Sequence, residues 1–115
     1  MRDVYTRAAR LTEVHDGDTI TVDTDLGMNV WVKGVHIRLL DVWAKELKED
    51  GGEQARDALI AMLKGKDITI QTIRRSSGTY VKSFNRWLGV VWADGVNINE
   101  WMVLHNHATR ERPTL

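Results

Sequence analysis

The 115-residue chain has no cysteine, and its only proline is Pro113. The missing thiols exclude a disulfide scaffold and a thiolate metal site. No apolar run is long enough to span a bilayer. The first residues lack the apolar core of a signal segment. A soluble, cytoplasmic protein with no membrane partner is therefore expected, and a monomer. Net charge is also absent, since 16 Lys and Arg balance 16 Asp and Glu. Zero net charge argues against a sequence-indifferent coater of nucleic acid. There is no internal repeat, low-complexity segment or linker.

What is present suits one compact domain over residues 1–115, with 43% hydrophobic and 28% charged residues. The charge is segregated. Residues 1–57 carry eight Lys or Arg against twelve Asp or Glu, and residues 58–115 carry eight against four. An acidic first half and a basic second half fit a cation site beside a surface for an anionic polymer. Ordinary scatter explains such small counts equally well.

The periodicity predicts five strands and two helices. Residues 8–15 form a first strand with Ala8, Leu11 and Val14 apolar. His15-Asp16-Gly17-Asp18 is a turn signal. Thr19 to Asp23 alternates as a half-buried strand does. Asp25 to Asn29 reads as the next turn. Val30 to Leu40 is a long β-branched run, and Gly34 within it marks a bulge or bend. After a charged loop, Ala55, Ala58, Leu59, Met62 and Leu63 fall on one helical stripe, closed by Gly65. Asp67 to Ile73 and Arg86 to Ala93 are the fourth and fifth strands. Asn97 caps a second helix, with Glu100 three residues on and Asn106 at its end. Residues 109–115 read as a frayed tail. The order β-β-β-α-β-β-α is that of a five-stranded oligonucleotide-binding (OB-fold) barrel, an α+β architecture.

The chemistry concentrates between Val35 and Glu46. Arg38 and Glu46 lie within one short reach, Asp16 and Asp18 lie upstream, and Arg86 lies downstream. Two arginines and a few carboxylates around a metal are what phosphodiester hydrolysis needs. Asp16 and Asp18 offer hard oxygens suited to Ca²⁺, or else form a solvated acidic turn. Arg38 and Arg86 either grip phosphate with their planar forks or cover the core with their stems. Glu46 is either a solvated loop acid or the group that activates water. His105 and His107 suit a surface or capping role, because ligating pairs on a helix sit three or four apart. Of five tryptophans, Trp31, Trp92 and Trp101 read as core. Trp43 lies in a loop, where it either packs or stacks on a base.

Four stretches, in order, resemble the thermonuclease family of staphylococcal-nuclease-like domains. They are Val14-His15-Asp16-Gly17-Asp18-Thr19-Ile20; Ile37-Arg38-Leu39-Leu40 with Glu46; Gly52-Glu53-Gln54-Ala55; and Asn85-Arg86-Trp87-Leu88 with Ala93-Asp94-Gly95 and Asn99-Glu100. The resemblance covers roughly residues 10–108. It implies a Ca²⁺-dependent endonuclease acting on DNA or RNA, with single strands preferred. It implies that Arg38 and Arg86 clamp the phosphate, that Glu46 activates water, and that Asp18 binds the metal with Asp16 behind it. Arg74, Arg75 and Lys82, in and beside a basic loop, are expected to contact the nucleic acid, with Trp43. The chain departs from the family at Asp41-Val42-Trp43-Ala44-Lys45-Glu46. Trp43 replaces the second metal-binding aspartate, and an indole does not ligate Ca²⁺. Asp41 is the replacement ligand if the chain is still extended there, since a two-residue period puts both side chains on one face. The alternative is a catalytically weakened barrel that binds nucleic acid or protein.

Overall fold

A computed structural model of the chain describes residues 5–73, 82–83 and 86–111. The centre of the fold is a run of β-branched residues, Thr19-Ile20-Thr21-Val22, which forms strand β2 (Thr19–Gly27). Ile20 and Val22 are wholly buried. Strand alternation therefore turns Thr19, Thr21 and Asp23 to the outer face. On one side β2 pairs antiparallel with β1 (Tyr5–Asp16), and on the other with β3 (Val30–Leu39). The short β4 (Trp43–Ala44) and helix α1 (Gly52–Leu63) follow. Next come β5 (Ile68–Thr72), β6 (Lys82–Ser83), β7 (Arg86–Ala93) and β8 (Val96–Asn97). Helix α2 (Ile98–Leu104) and β9 (Ala108–Thr109) complete the order.

Five of these strands close into a barrel. β1 turns the corner at Ala9, pairing with β5 through residues 5–9 and with β2 from Ala9 onward. β5 pairs with β7, and β7 runs parallel to β3 through Ile37↔Trp87, Arg38↔Leu88 and Leu39↔Gly89. That last ladder removes the sheet edge, as closure does in OB-folds. The interior is aliphatic: Ile20, Val22, Ile37, Leu39, Ile70 and Val91 meet Leu59 and Leu63 of α1 and Ile98 and Met102 of α2. Ala55, Leu59 and Leu63 are the buried part of the predicted helical stripe. Among the described residues no helix is long and apolar enough to cross a membrane.

Gly34 sits at a bulge, as expected. Val22↔Val35 is followed by Thr24↔Val32, so Asp23 faces two residues of β3. The bulge needs a left-handed backbone at Gly34 (φ 68°), which glycine adopts without steric cost. Asn106 (φ 62°) ends α2. There His107 N–H donates to the Met102 carbonyl and Asn106 N–H to that of Val103, at 2.8 and 3.1 Å, a Schellman end. At the other end Asn97 accepts from Glu100 N–H at 3.1 Å.

Several expectations need correction. β1 begins at Tyr5 instead of residue 8, because its first residues are held by β5 and carry little apolar alternation of their own. Asp25 and Gly27 are still in the ladder, so the β2–β3 turn is only Met28-Asn29, both left-handed. The tail is not frayed at its start. Ala108 and Thr109 pair with Ala44 and Trp43, a contact between distant two-residue segments that periodicity does not reveal. Trp31 and Trp92 are half-buried outside the core, and Trp101 is half-buried and packs against it. The centre of the barrel is built of branched aliphatics, with Trp87 and Trp101 packed against them.

Candidate functional site

The Asp16-Gly17-Asp18 turn joins β1 to β2 and is pressed inward. A Cβ at Gly17 would stand 2.6 Å from Ala44 Cβ and 2.8 Å from Ala55 Cβ. Only glycine lets the turn lie against both β4 and α1. Asp16 Oδ1 accepts the Asp18 N–H at 3.1 Å, which fixes the turn. The Asp18 carbonyl accepts the Leu39 N–H at 2.8 Å and ties the turn to the end of β3.

The Asp18 side chain is thereby buried, at 8% exposure. Its Oδ1 accepts the Thr19 hydroxyl at 3.1 Å and its Oδ2 accepts the Ala44 N–H at 3.0 Å. Arg38 Nη2 lies 3.6 Å from Oδ2. Burial pushes the Asp18 carboxyl up to about 6, helped by a side-chain hydrogen bond with Asp16. The Ala44 N–H and Arg38 pull the other way.

Arg38 comes from the outer face of β3, between the core residues Ile37 and Leu39, and is also 8% exposed. Its Nη1 donates to the carbonyls of Leu39 at 2.6 Å and Val42 at 2.7 Å. Its guanidinium carbon lies 4.3 Å from the centroid of the Trp43 ring, a cation–π contact. Asp16, Asp18, Arg38 and Trp43 thus form one cluster at the junction of β2, β3 and β4.

Other predicted residues stand apart from it. Glu46 follows Ala44 by two residues, but its side chain is 65% exposed and its carboxylate lies 3.8 Å from Lys48 Nζ. Asp41 is exposed in the turn after β3, with φ 55°. The chain is not extended there, so the condition for Asp41 to share a face with Trp43 is not met. Arg86 opens β7, one step before Trp87, which pairs with Ile37; its backbone therefore stands near the level of His36. The Arg86 and Lys82 side chains, and all of Arg74 and Arg75, lie outside the described residues.

The donor set can be weighed against Ca²⁺, which takes six to eight oxygens. Both Asp18 oxygens are engaged by Ala44, Thr19 and Arg38. Among the described residues no group of three or more His, Asp or Glu gathers to hold a metal ion. As folded, the described residues do not form a Ca²⁺ shell.

Sequence reading missed three features of this region. Buried Asn99 of α2 accepts from Val91 N–H at 3.0 Å and donates to the carbonyls of Leu40 at 3.0 Å and Gly89 at 3.1 Å, anchoring the chain just beyond Arg38. Arg10 lies 4.8 Å over the Trp31 ring. His15 and His36 both reach the Thr21 hydroxyl. Helix packing places Asn99, and only the cross-strand register brings the other two sets together; strand alternation alone places Thr21 and His36 on outer faces. His105 and His107 both stack on Trp101, at 4.3 and 5.5 Å between ring centroids. His105 Nδ1 lies 3.0 Å from the Trp101 carbonyl, a capping contact.

A separate cavity of about 230 Å³ opens on the barrel interior, lined by residues that include Arg7, Leu26, Val32, Ile37 and Trp87. Its described lining contains none of the predicted site residues.

The closed barrel with α1 between β3 and β5 is an OB-fold of staphylococcal-nuclease-like architecture, with a buried carboxylate–arginine cluster at one strand junction. The chain is 36% identical over 95 residues to an uncharacterized endonuclease of Escherichia coli O157:H7, covering 82% of this chain and 54% of that protein. An uncharacterized endonuclease of Escherichia coli matches with the same identity and coverage. The chain therefore spans about half the length of these curated relatives. No protein-family model matches it.

Proposed function

We propose that this barrel binds a nucleic-acid strand along the outer face of β1, β2 and β3 and hydrolyses its phosphodiester bonds, as a thermonuclease-like endonuclease. The observation that carries this reading is the Asp18–Arg38 pair at the end of that face, within a chain similar to two proteins named as endonucleases. Arg10, Lys33, His36 and Arg38 lie along the face, with Trp31 beneath Arg10 and Trp43 beside Arg38. Bases interleaved with indoles suit a single strand, gripped through phosphate and stacked through its bases.

In this reading Arg38 and Arg86 grip the phosphate that is cut, and Glu46 takes a proton from the attacking water. Arg38 reaches the phosphate by leaving the face of Trp43, which is then released to stack on a base. Glu46, on its exposed loop, closes over the bound strand. Arg74, Arg75 and Lys82 extend the basic surface. The proposed substrates are single-stranded DNA and RNA. Calcium dependence is part of the proposal through the family resemblance alone; it draws on Asp16 and Asp18 and requires Asp18 to give up the Thr19 and Ala44 contacts it makes in this fold.

One observation favours a second reading, a binding module without catalysis. Arg38 is held by two carbonyls and Asp18 and covered by Trp43. An arginine so engaged stabilises the junction without touching substrate. Incubating labelled single-stranded DNA and RNA with the protein, with Ca²⁺ or with chelator, separates the readings. Cleavage abolished by Glu46→Gln supports the nuclease. Retarded but intact strands support the binding module.

A further inference from the structure

β2 lies between β1 and β3, and its outer-facing Thr21 is reached from both sides. From β1 comes His15. The pairing passes from Val14↔Ile20 to Asp16↔Thr19, leaving His15 as the extra residue of a bulge. Bulges re-aim a side chain out of the ladder. From β3 comes His36, paired directly with Thr21. His15 Nε2 and His36 Nδ1 are each 3.0 Å from Thr21 Oγ1. The ring centroids are 5.8 Å apart, with planes tilted by 53°.

A hydroxyl has one proton, so it donates to at most one of these nitrogens and at least one ring presents an N–H to it. Both rings are therefore held with a nitrogen aimed at one point. The far nitrogen of His15 lies 3.7 Å from Glu13 Oε1. That distance is longer than a hydrogen bond; a small turn of either side chain closes it into the carboxylate–imidazole support usual behind a metal-bound histidine.

We propose that His15 and His36 form a two-imidazole chelate for a divalent transition-metal ion of the zinc, nickel or copper(II) class, with the Thr21 hydroxyl as a third donor. Imidazole nitrogen suits these ions, whereas calcium takes a shell of oxygens. Thr21 is buried, while His36 is exposed and the His15 side chain is 41% exposed. Binding exchanges the two contacts to the Thr21 hydroxyl for bonds of about 2.0–2.1 Å to one ion, a movement that rings at the surface can make. No third His, Asp or Glu joins them among the described residues, so water fills the remaining positions and the ion stays open to solvent. The site is distinct from the carboxylate cluster: Thr21 pairs with His36 where Thr19 pairs with Arg38, two residues along the same strands. It does not depend on the nuclease reading.

The test is titration of the full chain with zinc chloride, followed by histidine ring resonances in NMR and by calorimetry, with chelator reversal. The proposal expects the His15 and His36 resonances to shift together and saturate with one ion. It expects His15→Ala and His36→Ala each to abolish that shift in a protein whose amide spectrum remains folded. The double substitution His105→Ala and His107→Ala is expected to leave it unchanged. Unmoved His15 and His36 resonances overturn the proposal. So does zinc binding that is lost with His105 and His107 instead.

Discussion

Arg38 Nη2 stands 3.6 Å from Asp18 Oδ2, and both side chains are about nine-tenths buried. Removing one member of such a pair costs more than the pair is worth, because the other charge is left in low dielectric. Arg38→Met is expected to lower unfolding free energy by about 3 kcal/mol at neutral pH. Adding Asp18→Asn in the same protein is expected to recover part of that loss. Denaturant unfolding of the two single variants and the double variant provides the check. A double variant that is weaker by the full sum of the singles denies the coupling.

The raised Asp18 pKa sets a sign for pH dependence. The unfolded carboxyl titrates near its ordinary 3.8 and the folded one at about 6. Between these values the native state holds more protons than the unfolded chain, so its stability falls as pH rises. The contribution is fully present below about 4 and lost once pH passes about 6. The melting temperature of wild type minus that of Asp18→Asn, followed from pH 3.5 to 7.5, is expected to decline across that window and then level off. A difference that grows with pH contradicts the burial argument.

Gly17 is required by contact with β4 and α1. Gly17→Ala drives a methyl into Ala44 and Ala55, and overpacking of this kind costs about 1–3 kcal/mol. A double substitution with Ala55→Gly is expected to return part of it, because one of the two opposing methyls is gone. Chemical denaturation measures both. A neutral Gly17→Ala shows that the turn can lift away.

Asn99 satisfies one buried N–H and two carbonyls from two segments, β7 and the chain just after β3. Asn99→Leu removes this partner from the Val91 N–H and the Leu40 carbonyl, at about 1–3 kcal/mol for each group left buried, while the Gly89 carbonyl keeps the Leu40 N–H at 2.9 Å. The expected result is a protein destabilised by several kcal/mol, with faster amide exchange at Val91. Unchanged exchange at Val91 removes Asn99 as the anchor of this junction.

The extent to which the sequence was legible follows physical lines. Alternation in Thr19 to Asp23 and the stripe from Ala55 to Leu63 report local periods, and both appear where expected. So do the strand from Arg86 to Ala93 and the cap at Asn97. The pairing of Trp43 with Thr109 was hidden, because two-residue ladders between distant segments have no period. The His15–Thr21–His36 contact needed a bulge and a cross-strand register. At the site, the family-like spacing located Asp18 and Arg38, and the fold brings them together. It did not reveal the left-handed turn at Asp41, which breaks the strand period assumed for that residue. Nor did it reveal that the indole replacing an aspartate would cover the arginine.

The central claim is phosphodiester hydrolysis by this barrel, and Glu46→Gln tests it most directly. Glu46 is exposed on a loop and paired only at the surface with Lys48 among the described residues, so the substitution is expected to leave the melting temperature within about a degree. Initial rates on labelled single-stranded DNA and RNA, with Ca²⁺ and with chelator, are compared for wild type and variant. Wild type is expected to cleave measurably and the variant at a rate lower by about 10²-fold or more. Equal rates, or no cleavage by wild type on either polymer under either condition, contradict that claim.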